Sequence, residues 1–146
     1  MKRHVLLVED NPADVLLTRE ALREAAGGLV LDVVTCGSET LAFLRNQPPY
    51  QNAHRPDLIL MDWNLPRMSG AELLGALKSS PEFLPIPVIV LSTSDAQSDI
   101  ERAYRLHANC YVVKPMSYGE FVDAVRAFSL FWLSLARLPA TQRAAR

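Results

Sequence analysis

The sequence predicts an α/β fold: a doubly wound, five-stranded parallel sheet with helices on both faces. Three observations carry that expectation. Short apolar runs recur along the chain at Val5–Val8, Leu29–Val34, Leu58–Met61, Val88–Leu91 and Tyr111–Val113. Asp32 is the one charge within them, and strands without a polar face are those covered on both sides, as in parallel sheets. Between the runs lie stretches with apolar residues at helical spacing, so the chain reads β-α five times, with right-handed crossovers.

Each element has its own signals. Val5–Val8 ends in Glu9-Asp10-Asn11-Pro12, and Pro at a first helical position is a good helix start. Leu16, Leu17, Ala21, Leu22 and Ala25 are expected to form the buried stripe of that helix, which Gly27-Gly28 stops. Gly37-Ser38 opens a second helix carrying Leu41, Ala42 and Leu44. Gln47–Arg55, with two prolines, reads as an exposed loop. Leu58–Met61 ends abruptly at Asp62, and Pro66 and Gly70 prevent the strand from continuing. Ser69 and Glu72 form a capping-box pattern ahead of Leu73, Leu74 and Leu77. Pro81–Pro87 is a proline-punctuated turn. After Val88–Leu91 come Ser92-Thr93-Ser94, and Ser94 with Gln97 is expected to cap a fourth helix carrying Ile100, Ala103, Tyr104 and Leu106. Tyr111–Val113 ends in Lys114-Pro115. A cis bond is expected there, because the lysine must turn towards the strand ends and X–Pro is the one bond for which cis is cheap. The last helix begins near Ser117, faces the sheet with Phe121, Val125 and Phe128, and runs on into Phe131-Trp132-Leu133. One domain over residues 1–138 and a short polar tail over 139–146 are expected.

Composition excludes several classes. The chain has 146 residues and a net charge of −1, which gives no bulk attraction to nucleic acid or an anionic membrane. The apolar run after Met1–His4 is too short for a signal peptide, and Phe128–Ala136 is too short to span a bilayer. Cys36 and Cys110 lie far apart without a CxxC, so a reduced, cytoplasmic chain is expected. His4, His54 and His107 are scattered, are expected to be exposed, and form no zinc set.

The chemistry gathers at the strand ends. In a parallel sheet, Glu9-Asp10, Asp62, Ser92-Thr93 and Lys114 all fall on one edge, where open α/β sheets place ligands. Carboxylates crowded there repel each other unless a cation neutralises them. Oxygen-only ligands with few protein donors suit Mg²⁺. Lys114 adds a point charge suited to phosphate, and Ser92 a hydroxyl donor. Around Asp62 these make a cradle for a phosphoryl group, with Asp62 as nucleophile.

The acid pair Glu9-Asp10, the aspartate in MDWNLP, the hydroxyl in VLSTS and the lysine in VVKP together resemble the CheY-like receiver domains of two-component response regulators, over nearly the whole chain. That resemblance implies strand order 2-1-3-4-5 and a phosphoacceptor switch rather than an enzyme, fed by a sensor histidine kinase. It implies that Asp62 is the phosphoacceptor, that Asp10, Asp62 and the Asn64 backbone carbonyl ligate Mg²⁺, and that Glu9 acts through a metal-bound water. Lys114 would contact the phosphoryl group, Ser92 would be the switch hydroxyl, and Tyr111 the aromatic that reorients with it. The family more often carries Thr at the switch; here Ser92 is followed by Thr93, and both are candidates. The long Gln47–Arg55 loop and extended last helix are similar to those of single-domain regulators that partner phytochrome-type kinases.

Two other readings stay open: an interaction module of receiver fold that takes no phosphate, and a metal-dependent phosphatase with an aspartyl-phosphate intermediate. The second usually needs an acid two residues after the nucleophile, where this chain has Asn64. With few residues left after the fifth helix, output is expected through protein contacts. Phe131, Trp132 and Leu133 place apolar surface all round the end of the last helix, which predicts a homodimer interface there. Trp63 is expected at the surface.

Overall fold

The computed structural model describes residues 2–25 and 28–139. Its elements are β1 (His4–Val8), α1 (Pro12–Ala25), β2 (Val30–Val34), α2 (Gly37–Leu44), β3 (Leu58–Asp62), α3 (Gly70–Ser79), β4 (Val88–Ser92), α4 (Gln97–Arg105), β5 (Cys110–Val113) and α5 (Tyr118–Ser129). A π-helical extension, Leu130–Leu135, continues α5. All strand pairs are parallel, in the order β2-β1-β3-β4-β5. Val8 lies opposite both Val34 and Met61, Asp62 opposite Leu91, and Ser92 opposite Val113. The strand ends are therefore level.

Successive strand side chains point to opposite faces, and the core divides accordingly. Leu6, Val8, Ile59, Met61 and Val90 pack with Leu73, Leu74 and Leu77 of α3. Val5, Leu7, Leu58, Leu60 and Leu91 pack with Leu22 of α1 and Val125 and Phe128 of α5. The central strands β3 and β4 are buried along their whole length. The Ser69–Glu72 capping box is present in both directions. Gly70 sits where α3 turns back under the end of β3: its N–H donates to the Trp63 carbonyl at 3.0 Å. A Cβ at Gly70 would stand 2.5 Å from that carbonyl oxygen, so only glycine permits the approach.

Several expectations change. Leu16 and Leu17 are exposed; Ala21 and Leu22 are buried as expected, and Thr18 is buried with them. The buried set keeps helical spacing and leaves two leucines in solvent. Ser94 does not cap α4, whose N-cap is Ala96; its hydroxyl donates to Asp99 at 2.6 Å and accepts from the Ala96 N–H. Among the described residues the one cis peptide bond is Pro48–Pro49, so Lys114–Pro115 is trans. The lysine reaches the strand ends without the cis bond because its N–H is already fixed to the Ser92 carbonyl at 2.7 Å. Trp63 is a core residue. His4 is half-buried and stacks on His54 with ring centroids 4.5 Å apart, so these two are not scattered. Leu133 is 8% exposed and belongs to the α1/α5 side of the core. The cysteines are free, and among the described residues no helix is long and apolar enough to cross a membrane. Gly27 and the tail beyond Pro139 lie outside the described residues.

Candidate functional site

Backbone pairing brings the acids together. The Glu9 N–H donates to the Val34 carbonyl at 3.0 Å, carrying the ladder one residue past β1 and into the site. Glu9 is 2% exposed, while Asp10 beside it is exposed. Asp62 closes β3 and is buried. On the next residue, the Trp63 N–H donates to the Leu91 carbonyl, holding β3 against β4 up to the acid. Carboxylate oxygens of Glu9, Asp10 and Asp62 all lie within 4.8 Å of one another. Such a group of hard oxygen donors fits a divalent cation, and its mutual repulsion calls for one.

Lys114 enters from the end of β5. Its Nζ donates to Glu9 Oε1 at 3.0 Å and lies 3.7 Å from Asp62 Oδ1. A third acid, Asp14 in the first turn of α1, stands 3.5 Å from the same ammonium. Burial raises the Glu9 carboxyl to about 7; the Lys114 charge opposes that rise and the Asp62 charge adds to it. Burial alone would lower the Lys114 ammonium, but the charges of Asp62 and Glu9 outweigh it and hold the group above its usual range. The Asn64 N–H lies 3.4 Å from Asp62 Oδ1, and Asn64 itself is exposed.

Ser92 ends β4, fully buried, and its Oγ accepts from the Ser94 N–H at 3.1 Å. Thr93 is exposed. The half-buried Tyr111 donates its hydroxyl to the Ser94 carbonyl at 2.8 Å. Its ring meets Trp63 edge-on at 6.4 Å. Ser94 thus joins the two candidate switch residues through its own backbone. At the far end, Phe131 is 49% exposed and Trp132 is half-buried against its own core; their rings meet edge-on at 5.2 Å.

Glu9, Asp10, Asp62 and Lys114 are therefore brought together as the sequence predicts. Phe131, Trp132 and Leu133 do not share one exposed face. Asp14 went unread, and Ser94 and Trp63 were expected in other roles, as a helix cap and a surface residue. Asp14 carried a signal: it is an acid in the first turn of a helix that begins just after the Glu9-Asp10 pair. A cleft of about 260 Å³ opens next to Asp14 and Lys114, between α1 and the segment after β5.

A family model described as the response regulator receiver domain matches residues 5–126. The response regulator Rcp1 of Synechocystis sp. is 40% identical over 136 residues, covering 93% of this chain and 92% of that protein. The phosphorylated cyanobacterial phytochrome response regulator RcpA superposes with a TM-score of 0.91 at 44% identity, covering 96% of this chain and 100% of that one. The Mn²⁺-bound form of Rcp1 superposes with a TM-score of 0.88 at 39% identity, covering 94% and 99%. With the level strand ends, the acids and the lysine already on one edge, a match over most of the length means that this chain belongs to the response regulator receiver family of two-component signalling.

Proposed function

We propose that Asp62 accepts a phosphoryl group from a sensor histidine kinase, and that the chain signals through protein contacts rather than by turning over a separate substrate. The observation that carries this reading is the Lys114 ammonium, placed between Glu9 and Asp62 at the edge where the acids meet. Asp62 is the acceptor because it is the one acid at the end of the central strand within reach of that ammonium and of the acid pair. Mg²⁺ is the ion proposed, held by Asp10, Asp62 and the Asn64 carbonyl, with Glu9 acting through water. When bound, it supplies positive charge that offsets the phosphoryl oxygens.

The Ser94 contacts support Ser92, with Thr93 beside it, and Tyr111 as the switch. If the Ser92 hydroxyl turns to donate to a phosphoryl oxygen, the Ser94 N–H loses its acceptor, and the same loop then releases the Tyr111 hydroxyl. The exposed Leu17 and Met116, which line the cleft, support docking of a protein donor. A phytochrome-type kinase is proposed from the similarity to RcpA. A cytoplasmic location and the division into a receiver over 1–138 and a tail over 139–146 belong to the same reading. So does a homodimer on the last helix, now centred on Phe131 with part of Trp132.

Asn64, where a phosphatase would carry its second acid, supports slow self-hydrolysis. The experiment is incubation with acetyl phosphate and Mg²⁺, followed by intact mass. A persistent gain of one phosphoryl group is expected; rapid turnover of an added phosphoester would favour the phosphatase, and no gain the phosphate-independent module.

A further inference from the structure

We propose that Asp14 is a positioning residue for phosphoryl acceptance: it holds the Lys114 ammonium at the α1 edge of the site and so makes the site a poor acceptor for small, free, anionic donors. This rests on the reading of Asp62 as phosphoacceptor. An ammonium has three N–H donors, and three carboxylates surround this one, at 3.0 Å for Glu9, 3.5 Å for Asp14 and 3.7 Å for Asp62. The three differ in kind. Glu9 is buried, and its other oxygen accepts from the Asn11 N–H. Asp62 is the reacting group. Asp14 is neither: its side chain is 40% exposed and lies outside the oxygen cluster of Glu9, Asp10 and Asp62. Its hold on Lys114 is screened and reversible, as suits a group that has to let go.

With acetyl phosphate, an Asp62 oxygen bonds to phosphorus while the P–O bond to acetate breaks, and acetate leaves with the electron pair. The donor's negative oxygens need the ammonium that Asp14 shares, and there they meet the Asp14 charge, which stands 3.5 Å from that ammonium. Repulsion and competition act in the same direction. A protein donor has a compensation that a free acyl phosphate lacks. It can bury apolar surface on Leu17 and Met116, which line the cleft, and set a basic group against Asp14.

Asp14→Asn keeps the side chain's shape and removes its charge. At saturating Mg²⁺, its rate of labelling by acetyl phosphate should rise about two- to fivefold over wild type, the scale of a partly exposed ion pair, and the advantage should shrink as salt is added. Asp14→Glu restores the charge and should restore the slow, salt-sensitive rate, which a merely structural role would not do. A wild type labelled at Asp62 alongside an Asp14→Asn rate no faster than its own overturns this proposal alone, as does an Asp14→Glu as fast as Asp14→Asn. A wild type that takes no phosphoryl group at Asp62 overturns the acceptor reading and this proposal together.

Discussion

Glu9 is the residue on which folding and function pull in opposite directions. Its carboxyl is raised from its ordinary value of 4.5 to about 7 in the folded chain, first by burial. Between those values the folded state binds more protons than the unfolded state, so stability falls as pH rises through that window. The raised Lys114 ammonium does not offset this, because its contribution is lost only at much higher pH. Metal-free protein should therefore unfold at lower denaturant at about pH 8 than at about pH 5, and Glu9→Gln should flatten that difference. Equal pH dependence in the two proteins, measured by urea unfolding, would contradict the assignment. Asp10 is exposed and should serve mainly the ion: Asp10→Asn should weaken Mg²⁺ binding by about tenfold or more, read by calorimetry. At this scale the sequence shows which acids and which lysine meet at the strand ends, because residue type and strand-end position suffice. It does not show Asp14 on Lys114 or Trp63 against Tyr111, since those contacts depend on how α1 and the loop after β3 lie on the sheet.

Among the elements, α3 shows most plainly how local sequence places the site. Ser69 and Glu72 cap it, and Gly70 lets its first turn pass under the Trp63 carbonyl, next to Asp62. Ser69→Ala should cost about 1 kcal/mol. Gly70→Ala should cost about 1–3 kcal/mol, because the added carbon meets backbone that cannot yield locally, and it should also slow labelling of Asp62. A Gly70→Ala protein of wild-type stability in thermal unfolding would show that the approach is not tight. The capping box was legible because both partners lie within four residues. The buried face of α1 was legible at Ala21 and Leu22 but not in the turn before them, where Leu16 and Leu17 are exposed and Thr18 is buried. Ser94 misled for a related reason. It has the chemistry of a cap, but its hydroxyl is taken by Asp99, on the helix it was expected to start.

For the whole molecule, a parallel sheet with its strand ends on one edge was readable from five apolar runs and the helices between them, and the order β2-β1-β3-β4-β5 agrees with what the family resemblance implied. Which side of the last helix faces out was not readable, because apolar residues surround it. The fold settles it by continuing α5 as a π-helical segment that turns Leu133 inward and leaves Leu130, Phe131 and Leu135 outside. The two kinds of residue should respond differently. Leu133→Ala should lower stability by about 2–5 kcal/mol, while Phe131→Glu should leave the unfolding midpoint nearly unchanged and yield monomers. Light scattering with size exclusion checks the second; a wild type already monomeric at tens of micromolar, or a Phe131→Glu protein that stays dimeric, would remove Phe131 from an interface.

Every role proposed for the strand-end residues depends on Asp62 taking the phosphoryl group. The most direct measurement is phosphotransfer from a phosphorylated histidine kinase to wild type and to Asp62→Asn, followed by intact mass. Asn is nearly isosteric, so the variant should fold as wild type does and lose only the nucleophilic charge. Wild type should gain one phosphoryl group and Asp62→Asn none; labelling of Asp62→Asn at the wild-type rate would rule out Asp62 as the acceptor.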